Sequence, residues 1–367
     1  MRVLACSTTG AGHFTPMKPW LRAFAAAGHD VLVLGPPALE ESVREWAFAP
    51  GAEADPAVVG PLWGRVYQLA PAEAKQMVEG EIFTRHNAGA MLDPVGAVID
   101  DFQPDLVLRD PMEWASAVCA GRAGVPQVRI AISLAAEDAQ LLSMASPILE
   151  DWEPGTTELV AASPFLTRFP ASLDPPIYPA TARYRFAEET HRSVAPDFVY
   201  ATLGTVAPTM NHLLPWYGVL TAALEPLPVR ALLTVGKDLD PGIVTPAASN
   251  VDVRAWADHA AVLSEAAVIV HHGGSGTTLD ALAAGTPQVV VPLFADQNAN
   301  AVAIDTAGVG FAAGGQPFVM RMPEDGDVEL VRATVEQALV TPAIARRAEK
   351  VAGEIRALPP LDVALLD

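Results

Sequence analysis

Short apolar runs alternate with amphipathic segments along most of the chain. Buried strands separated by single helices are typical of parallel sheets with right-handed crossovers. In the first part of the chain the pattern predicts strands at 2–7, 31–34, 105–108 and 125–132, and helices at 16–27 and 113–122. The segment 36–100 has no regular period, and we interpret it as helices and loops.

The alternation starts again after a proline-rich stretch. Six prolines fall between residues 163 and 197, which indicates a domain boundary. Beyond it the pattern predicts strands at 198–203, 229–235, 251–255, 268–270 and 288–291, and helices at 213–224, 260–266, 275–284, from 298 on, 328–340 and 343–355. We therefore predict an α/β protein with two doubly wound, Rossmann-like parallel-sheet domains in tandem. The predicted divisions are an N-terminal domain (1–180), a linker (181–197), a second domain (198–350) and a C-terminal helix (351–367) that crosses back to the first domain or frays.

Composition narrows the range of partners. The chain has 367 residues, of which 51% are hydrophobic, and a formal net charge of −20. Such an acidic protein repels phosphate backbones and anionic lipids, so we expect neither nucleic acid nor membrane as a partner. With only two cysteines and no apolar run long enough to span a bilayer, the chain is expected to be cytoplasmic, without a disulfide scaffold or membrane insertion.

A glycine-rich loop follows the predicted strand 268–270 and leads into the helix 275–284. Its sequence is His271-His272-Gly273-Gly274-Ser275-Gly276-Thr277-Thr278. Bare amides, hydroxyls and the positive end of a helix dipole favour an anion, and His272 can donate to a phosphate oxygen, so the loop predicts a diphosphate site. The alternative is a tight turn that uses small residues for packing, and the loop matches neither a Walker A motif nor the dinucleotide fingerprint.

Two further positions follow strands of the second half. Asp296 and Gln297 suit hydrogen bonds to sugar hydroxyls, although these residues taken alone favour the alternative that Asp296 or Asn298 caps the next helix. Trp256 follows the strand 251–255 and either stacks on a nucleobase or packs in the core.

In the first half, His13 lies on a glycine turn after the first strand. An imidazole titrates near neutral pH and is a natural general base. Asp110 ends the strand that begins near residue 105, at the same edge of the predicted sheet, and could hold the ring and stabilise the imidazolium. The alternatives are a packed or capping histidine and an aspartate that caps the helix from Glu113.

Together these segments resemble the bacterial family 1 glycosyltransferases of the GT-B fold, which glycosylate natural products. The resemblance lies in residues 9–17, 28–31, 268–292 and 296–301 and spans nearly the whole chain in order. It implies two Rossmann-like domains that face a central cleft.

The resemblance also implies a role for each matching residue. His13 would take the proton of the acceptor, with Asp110 as its partner. The residues implied to bind the donor diphosphate are Gly204, Thr205, His272, Gly274, Ser275, Gly276 and Thr277. The base of the donor would lie beside Trp256 and its ribose beside Asp280. Asp296 and Gln297 would hold the donor sugar. Two departures concern this set: Ala257-Asp258-His259 follows Trp256 where relatives often have Trp-x-Pro-His/Gln, and Asp280 stands where they often have Glu.

The implied activity is inverting, metal-independent sugar transfer from a nucleoside-diphosphate donor to a hydroxyl of a small hydrophobic aglycone. Family habit favours a TDP-linked deoxysugar over a UDP-sugar, and no cofactor is expected besides this nucleotide-sugar co-substrate. Acceptor-binding residues stay unassigned, and a homodimer and a carbon or nitrogen acceptor stay open. The alternatives are a nucleotide-sugar epimerase or phosphorylase of the same fold, and a non-catalytic auxiliary protein.

Overall fold

The structure, a computed structural model, describes residues 1–186, 198–315 and 320–366. It divides into two compact units: unit 1 comprises Met1–Arg168, Pro175–Arg185 and Pro359–Asp367, and unit 2 comprises Phe169–Asp174 and Phe186–Leu358. Within the predicted linker, residues 187–197 lie outside the described residues. The last helix of the chain ends at Arg356 within unit 2, and the chain joins unit 1 again from Pro359.

Unit 1 is built on a parallel sheet in which the first strand lies near the middle. Its strands are β1 (Arg2–Cys6), β2 (Asp30–Gly35), β3 (Ala47–Pro50), β4 (Leu106–Arg109), β5 (Gln127–Ile130), β6 (Phe165–Thr167) and β7 (Thr181–Arg183). The order is β3-β2-β1-β4-β5-β6-β7, so β1 pairs with β2 on one side and with β4 on the other. The strand order reverses between β1 and β4, and open α/β sheets bind ligands at the carboxyl ends of strands at such a switch point.

The helices of unit 1 confirm the predicted α/β alternation and add elements that the pattern did not predict. They are α1 (Ala11–Phe14), α2 (Lys18–Ala26), α3 (Pro56–Val66), α4 (Pro71–Lys75), α5 (Gly89–Phe102), α6 (Trp114–Ala123), α7 (Ala135–Trp152) and α8 (Thr156–Ala162). A π-helix, Gln76–Ala88, separates α4 from α5, and short 3₁₀ turns cover Thr15–Met17 and Pro37–Val43. The strands β3, β6 and β7 and the helices α7 and α8 are the added elements.

Unit 2 repeats the same plan. Its strands are β8 (Phe198–Thr202), β9 (Arg230–Thr234), β10 (Val251–Arg254), β11 (Ala266–His271), β12 (Gln288–Val290) and β13 (Gly310–Ala312). The order β10-β9-β8-β11-β12-β13 places the switch point between β8 and β11. Its helices are α9 (Pro215–Leu224), α10 (His259–Glu265), α11 (Ser275–Ala284), α12 (Gln297–Ala307), α13 (Asp327–Val340) and α14 (Pro342–Arg356). In unit 2, 3₁₀ turns cover Ala207–Thr209, Asn211–Leu213 and Pro241–Ile243. A further 3₁₀ turn, Val363–Leu366, belongs to unit 1.

The central strands are buried on both faces, as their apolar sequences predict. Val3, Leu4 and Ala5 of β1 are fully buried, and so are Ile269 and Val270 of β11. Helix α11 has the predicted bounds 275–284, because Gly285 follows it in the left-handed conformation (φ 72°) that stops a helix. Among the described residues, no helix is long and apolar enough to cross a membrane.

Candidate active site

His13 and Asp110 meet at the switch point of unit 1. His13 follows β1 on the short helix α1, which starts after Gly10 in a conformation open to glycine (φ 113°), and Asp110 directly follows β4. The Nδ1 atom of His13 lies 3.2 Å from Oδ1 of Asp110. The histidine side chain is 26% exposed and the aspartate fully buried, so the imidazole is the member of the pair that can face a ligand.

The carboxylate of Asp110 is held by several donors. Its Oδ1 accepts from the Met112 N–H at 2.7 Å, and its Oδ2 accepts from the N–H and the hydroxyl of Thr8 at 2.9 and 2.8 Å. Burial raises the pKa of this carboxyl, but the His13 ring and the Thr8 and Met112 amides outweigh burial and lower the pKa to about 2. Asp110 is therefore an anion at neutral pH, and His13 donates its Nδ1–H to it. In the neutral ring the lone pair is then on Nε2.

The capping role considered for Asp110 belongs to Glu113. The carboxylate of Glu113 accepts from the Ser116 N–H at 2.8 Å and caps α6. Asp110 instead accepts from the loop that leads into this helix. Its buried position is thus explained by the pairing with His13 and Thr8 rather than by the helix.

The guanidinium of Arg109 is buried next to the backbone that carries Asp110. Arg109 is fully buried on β4, donates Nε–H to Gln127 Oε1 at 2.8 Å, and donates Nη1–H to the carbonyls of Asp110 and Pro111 at 3.3 and 3.2 Å. Burial, with the nearby Arg129, lowers its pKa to about 10, so it remains a cation at neutral pH. This cation fixes the backbone that carries Asp110, and sequence reasoning missed it although an arginine inside an apolar strand is a visible signal.

In unit 2, the imidazole of His272 lies between two glycines. A Cβ atom at Gly204 would lie 2.5 Å from His272 Cε1, and one at Gly274 would lie 2.4 Å from Nε2. Gly204 follows β8 and Gly274 precedes α11, so the switch point of this sheet brings together two of the predicted donor-binding segments. Any side chain at either glycine would displace the ring.

His272 is neutral and has unused hydrogen-bonding capacity. Burial, reinforced by the charge of His259, lowers its pKa to about 4. Its Nδ1 is buried and has no hydrogen-bond partner among the described residues. A neutral ring can donate one N–H to an anion at the N-terminus of α11.

The preceding histidine shapes this loop. His271 Nδ1 accepts from the Gly273 N–H at 3.1 Å, so Nε2 carries the proton and donates to Gln288 Oε1 at 2.9 Å. Burial, with the neighbouring His272 imidazole, lowers the pKa of His271 to about 3. His271 holds the turn at Gly273 (φ 90°), a role that the motif alone does not indicate.

The predicted sugar-binding pair lies beside the glycine loop. Asp296 Oδ2 accepts from the Ser275 hydroxyl at 2.9 Å, and Asp296 makes no side-chain cap at α12, so the capping alternative is not what the structure has. Gln297 is buried, and its Oε1 accepts from the N–H groups of Leu293 and Phe294 at 2.8 and 3.0 Å. Only its amide nitrogen is therefore left to donate to a sugar.

The other predicted donor residues differ in exposure. Thr205 and Gly276 are exposed, and Thr277 is half-buried in the first turn of α11. Trp256 is 56% exposed, and the Lys237 Nζ lies 4.9 Å from its ring centre, so the ring is not core.

The predicted ribose ligand lies near a histidine. Asp280 Oδ2 is 3.9 Å from Nε2 of His259. Burial lowers the pKa of His259, although Asp280 opposes this effect. Among the described residues no group of three or more His, Cys, Asp or Glu side chains has the geometry of a metal site.

Comparisons with known proteins identify the family. The family model for the Erythromycin biosynthesis protein CIII-like, C-terminal domain matches residues 238–364. L-demethylnoviosyl transferase of Streptomyces niveus is 31% identical, over 93% of this chain and 90% of the relative. Elloramycin glycosyltransferase ElmGT of Streptomyces olivaceus is 32% identical, over 99% of this chain and 96% of the relative. The chain belongs to the family 1 natural-product glycosyltransferases.

A solved structure supports the fold of this glycosyltransferase. Spinosyn rhamnosyltransferase SpnG, complexed with thymidine diphosphate, superposes with a TM-score of 0.77 at 20% identity and covers 98% of this chain and 97% of that one. The predicted GT-B fold class is thus confirmed.

Proposed function

We propose that this glycosyltransferase is an inverting, metal-independent enzyme that moves a deoxysugar from TDP to a hydroxyl of a hydrophobic natural-product aglycone. The observation that carries the proposal is the 3.2 Å contact between His13 Nδ1 and Asp110 Oδ1, which gives a partly exposed imidazole an ionised partner. The choice of TDP is supported by SpnG, whose structure holds thymidine diphosphate. SpnG is named a rhamnosyltransferase, and rhamnose is a deoxysugar.

In the proposed reaction His13 acts as the general base. Its Nε2 takes the proton of the acceptor hydroxyl while the oxygen attacks the anomeric carbon of the donor. The new C–O bond forms on the face opposite the diphosphate, whose C–O bond breaks with both electrons leaving on the phosphate oxygen. Asp110 stabilises the resulting imidazolium, as an orienting carboxylate does in a triad. A single displacement of this kind inverts the anomeric centre.

The proposed leaving-group site is the N-terminus of α11. The amides of Gly274, Ser275 and Gly276 are not used within the helix, and the helix dipole adds partial positive charge. Neutral His272 donates a further hydrogen bond to the same charge, which grows as the bond breaks. These groups can do the work that a divalent cation does in other transferases.

The proposal is tested with TDP-sugars and a hydroxylated aromatic aglycone panel. We expect His13→Ala and Asp110→Asn to bind TDP like the wild type but to lose about 10²–10⁴-fold in kcat. His29→Ala, a change elsewhere in unit 1, is the control and keeps full activity. Full turnover by His13→Ala, or TDP release without any acceptor, would contradict the proposal, the second outcome pointing to an epimerase or hydrolase.

Two further measurements address the finer points. NMR coupling constants of the product should show the anomeric configuration opposite to that of the donor. Activity should persist in EDTA, and a complete loss that Mg²⁺ restores would overturn metal independence.

A further inference from the structure

The hydroxyl of Ser275 is used inside the protein. Its Oγ donates to Asp296 Oδ2 at 2.9 Å, and the Asn300 Nδ2 donates to the same Oγ at 3.0 Å. A serine hydroxyl has one proton, so Ser275 has none left for a phosphate oxygen while this bond exists. The group of Ser275 that can face the diphosphate is its backbone N–H.

Asn300 joins the glycine loop to Asp296. Its Nδ2 donates to the carbonyl of Gly273 at 2.8 Å and lies 3.4 Å from Asp296 Oδ2. The side chain is 1% exposed, and the carbonyl acceptor identifies this end of the amide as the nitrogen. Asn300 lies in the first turn of α12, four residues after Asp296, which directly precedes the helix, so the contacts of Asn300 with the carboxylate and the loop are made from a rigid element.

We propose that Asn300 and Ser275 are positioning residues that orient the Asp296 carboxylate toward the donor sugar. Asn300 orients the Ser275 hydroxyl, the hydroxyl holds Asp296 Oδ2, and the carboxylate is fixed in one rotation. The inference rests on the proposed function and on the role that the family resemblance implies for Asp296, which is to accept a hydrogen bond from the donor sugar. It follows that the two side chains act on the sugar part of the donor, whereas the diphosphate is left to the backbone N–H groups of the loop.

The test compares the binding of two probes, TDP and TDP-glucose, by calorimetry. In Ser275→Ala the loop amides remain, so the Kd of TDP should stay within about twofold of the wild type. The Kd of TDP-glucose should rise about tenfold, because a hydrogen bond to a charged group is lost. Asn300→Ala should also raise the ratio of the Kd of TDP-glucose to the Kd of TDP. Ser275→Thr, which keeps a hydroxyl, should have the wild-type ratio.

Asn250 provides a matched control. Its Nδ2 also donates to three acceptors, the carbonyls of Leu224, Leu227 and Val229, at 3.3, 3.2 and 3.1 Å. It lies just before β10 and belongs to no predicted site. Asn250→Ala should lower the thermal unfolding midpoint as Asn300→Ala does, but it should leave the ratio of the Kd values unchanged.

The outcomes separate this inference from the proposed function. Equal weakening of TDP and TDP-glucose in Ser275→Ala, or an unchanged ratio, would overturn the positioning role while leaving the donor class intact. A wild-type protein that binds neither probe would overturn the TDP-sugar assignment, and the positioning role with it.

Discussion

Thr8 donates both its backbone N–H and its hydroxyl to one oxygen of Asp110, at 2.9 and 2.8 Å. Thr8 follows β1, as His13 does, so the loop that carries the proposed base also holds the carboxylate that orients it. The donors that keep Asp110 ionised thus come from the segments that follow two paired strands: Thr8 and His13 follow β1, and Met112 follows β4.

We expect Thr8→Val to weaken catalysis without changing donor binding. The substitution removes the hydroxyl donor but keeps the N–H, so the Asp110 carboxylate loses one of the contacts that hold it in place against the His13 ring. A bond of this kind contributes about 1.5–3 kcal/mol, which corresponds to roughly a tenfold or greater loss in kcat. Steady-state kinetics check this, with Thr8→Ser as the control that keeps the hydroxyl, and an unchanged kcat in Thr8→Val would show that the bond has no catalytic effect.

Space around the His272 ring gives a second prediction. Gly274→Ala and Gly204→Ala would each place a carbon within 2.4–2.5 Å of the ring, and Gly204 also has a φ of 73°. We expect either change to displace the imidazole and to weaken TDP binding by about tenfold or more, because a donor to the diphosphate is lost.

Gly218→Ala is the matched control for these two changes. Gly218 lies in α9 of the same unit, and a Cβ there would meet nothing within 4 Å. Replacing glycine by alanine inside a helix stabilises it by about 0.5–1 kcal/mol, so this variant should bind TDP normally and unfold at a slightly higher temperature. Wild-type TDP affinity in Gly274→Ala would remove His272 from the proposed donor site.

The two buried histidines predict that the protein loses stability in mild acid. Burial lowers the pKa of His271 to about 3 and of His272 to about 4, whereas an unfolded histidine titrates near 6.5. The unfolded chain therefore binds protons first as the pH falls. The stabilisation is complete above pH 6.5 and is lost progressively as the pH falls through the two folded-state pKa values, about 4 for His272 and about 3 for His271.

Around pH 5 the unfolded state should hold about two more protons than the folded state from these two groups. The contribution of these two groups to the free energy of unfolding should then fall by roughly 3 kcal/mol per pH unit, which urea unfolding at pH 5 and 6 measures. In His272→Gln the unfolded state holds only about one more proton than the folded state from this pair of positions. The pH dependence of the free energy of unfolding should therefore be about half as steep. An identical slope in the variant and the wild type would show that His272 is already protonated in the folded protein.

Trp256 and Lys237 give a prediction about the nucleobase. The ring is 56% exposed, and the Lys237 ammonium lies 4.9 Å from its centre, so the lysine occupies one face. Base stacking on an aromatic side chain contributes about 1–3 kcal/mol, so Trp256→Ala should weaken TDP binding by roughly tenfold and should leave pyrophosphate binding unchanged. Tyr67→Ala, which removes an equally exposed aromatic ring from unit 1, should change neither affinity.

Much of the fold could be predicted because its signals are local. The bounds of α11 follow from Gly274 and Gly285, and the central strands are continuous apolar runs. The edge strand β3 was missed because it has four residues, of which Phe48 and Ala49 are only half-buried, and it ends in a proline. The π-helix Gln76–Ala88 has no apolar period that distinguishes it from other helices, so spacing alone could not predict it.

The candidate site also has features that the sequence could predict and features that it could not. That His13 and Asp110 would approach each other could be predicted, since each follows one of two strands that pair in the sheet. That Ser275 donates its proton to Asp296, and that Gln297 uses its oxygen on two backbone amides, depends on side-chain rotamers and could not be predicted. The motif indicated the location of the site but not the assignment of its hydrogen bonds.

The return of the chain to unit 1 matters for engineering. Arg185 donates its N–H to the Pro359 carbonyl at 2.9 Å and accepts at its own carbonyl from the Leu361 N–H at 2.8 Å. Unit 2 is therefore mostly an insertion whose two ends are both tied to unit 1. A chimera that borrows the nucleotide-binding half of another transferase needs two splice points, one after residue 185 and one before 359. A fusion at a single junction after residue 185 would lack residues 359–361, and Arg185 would lose both of these backbone hydrogen bonds.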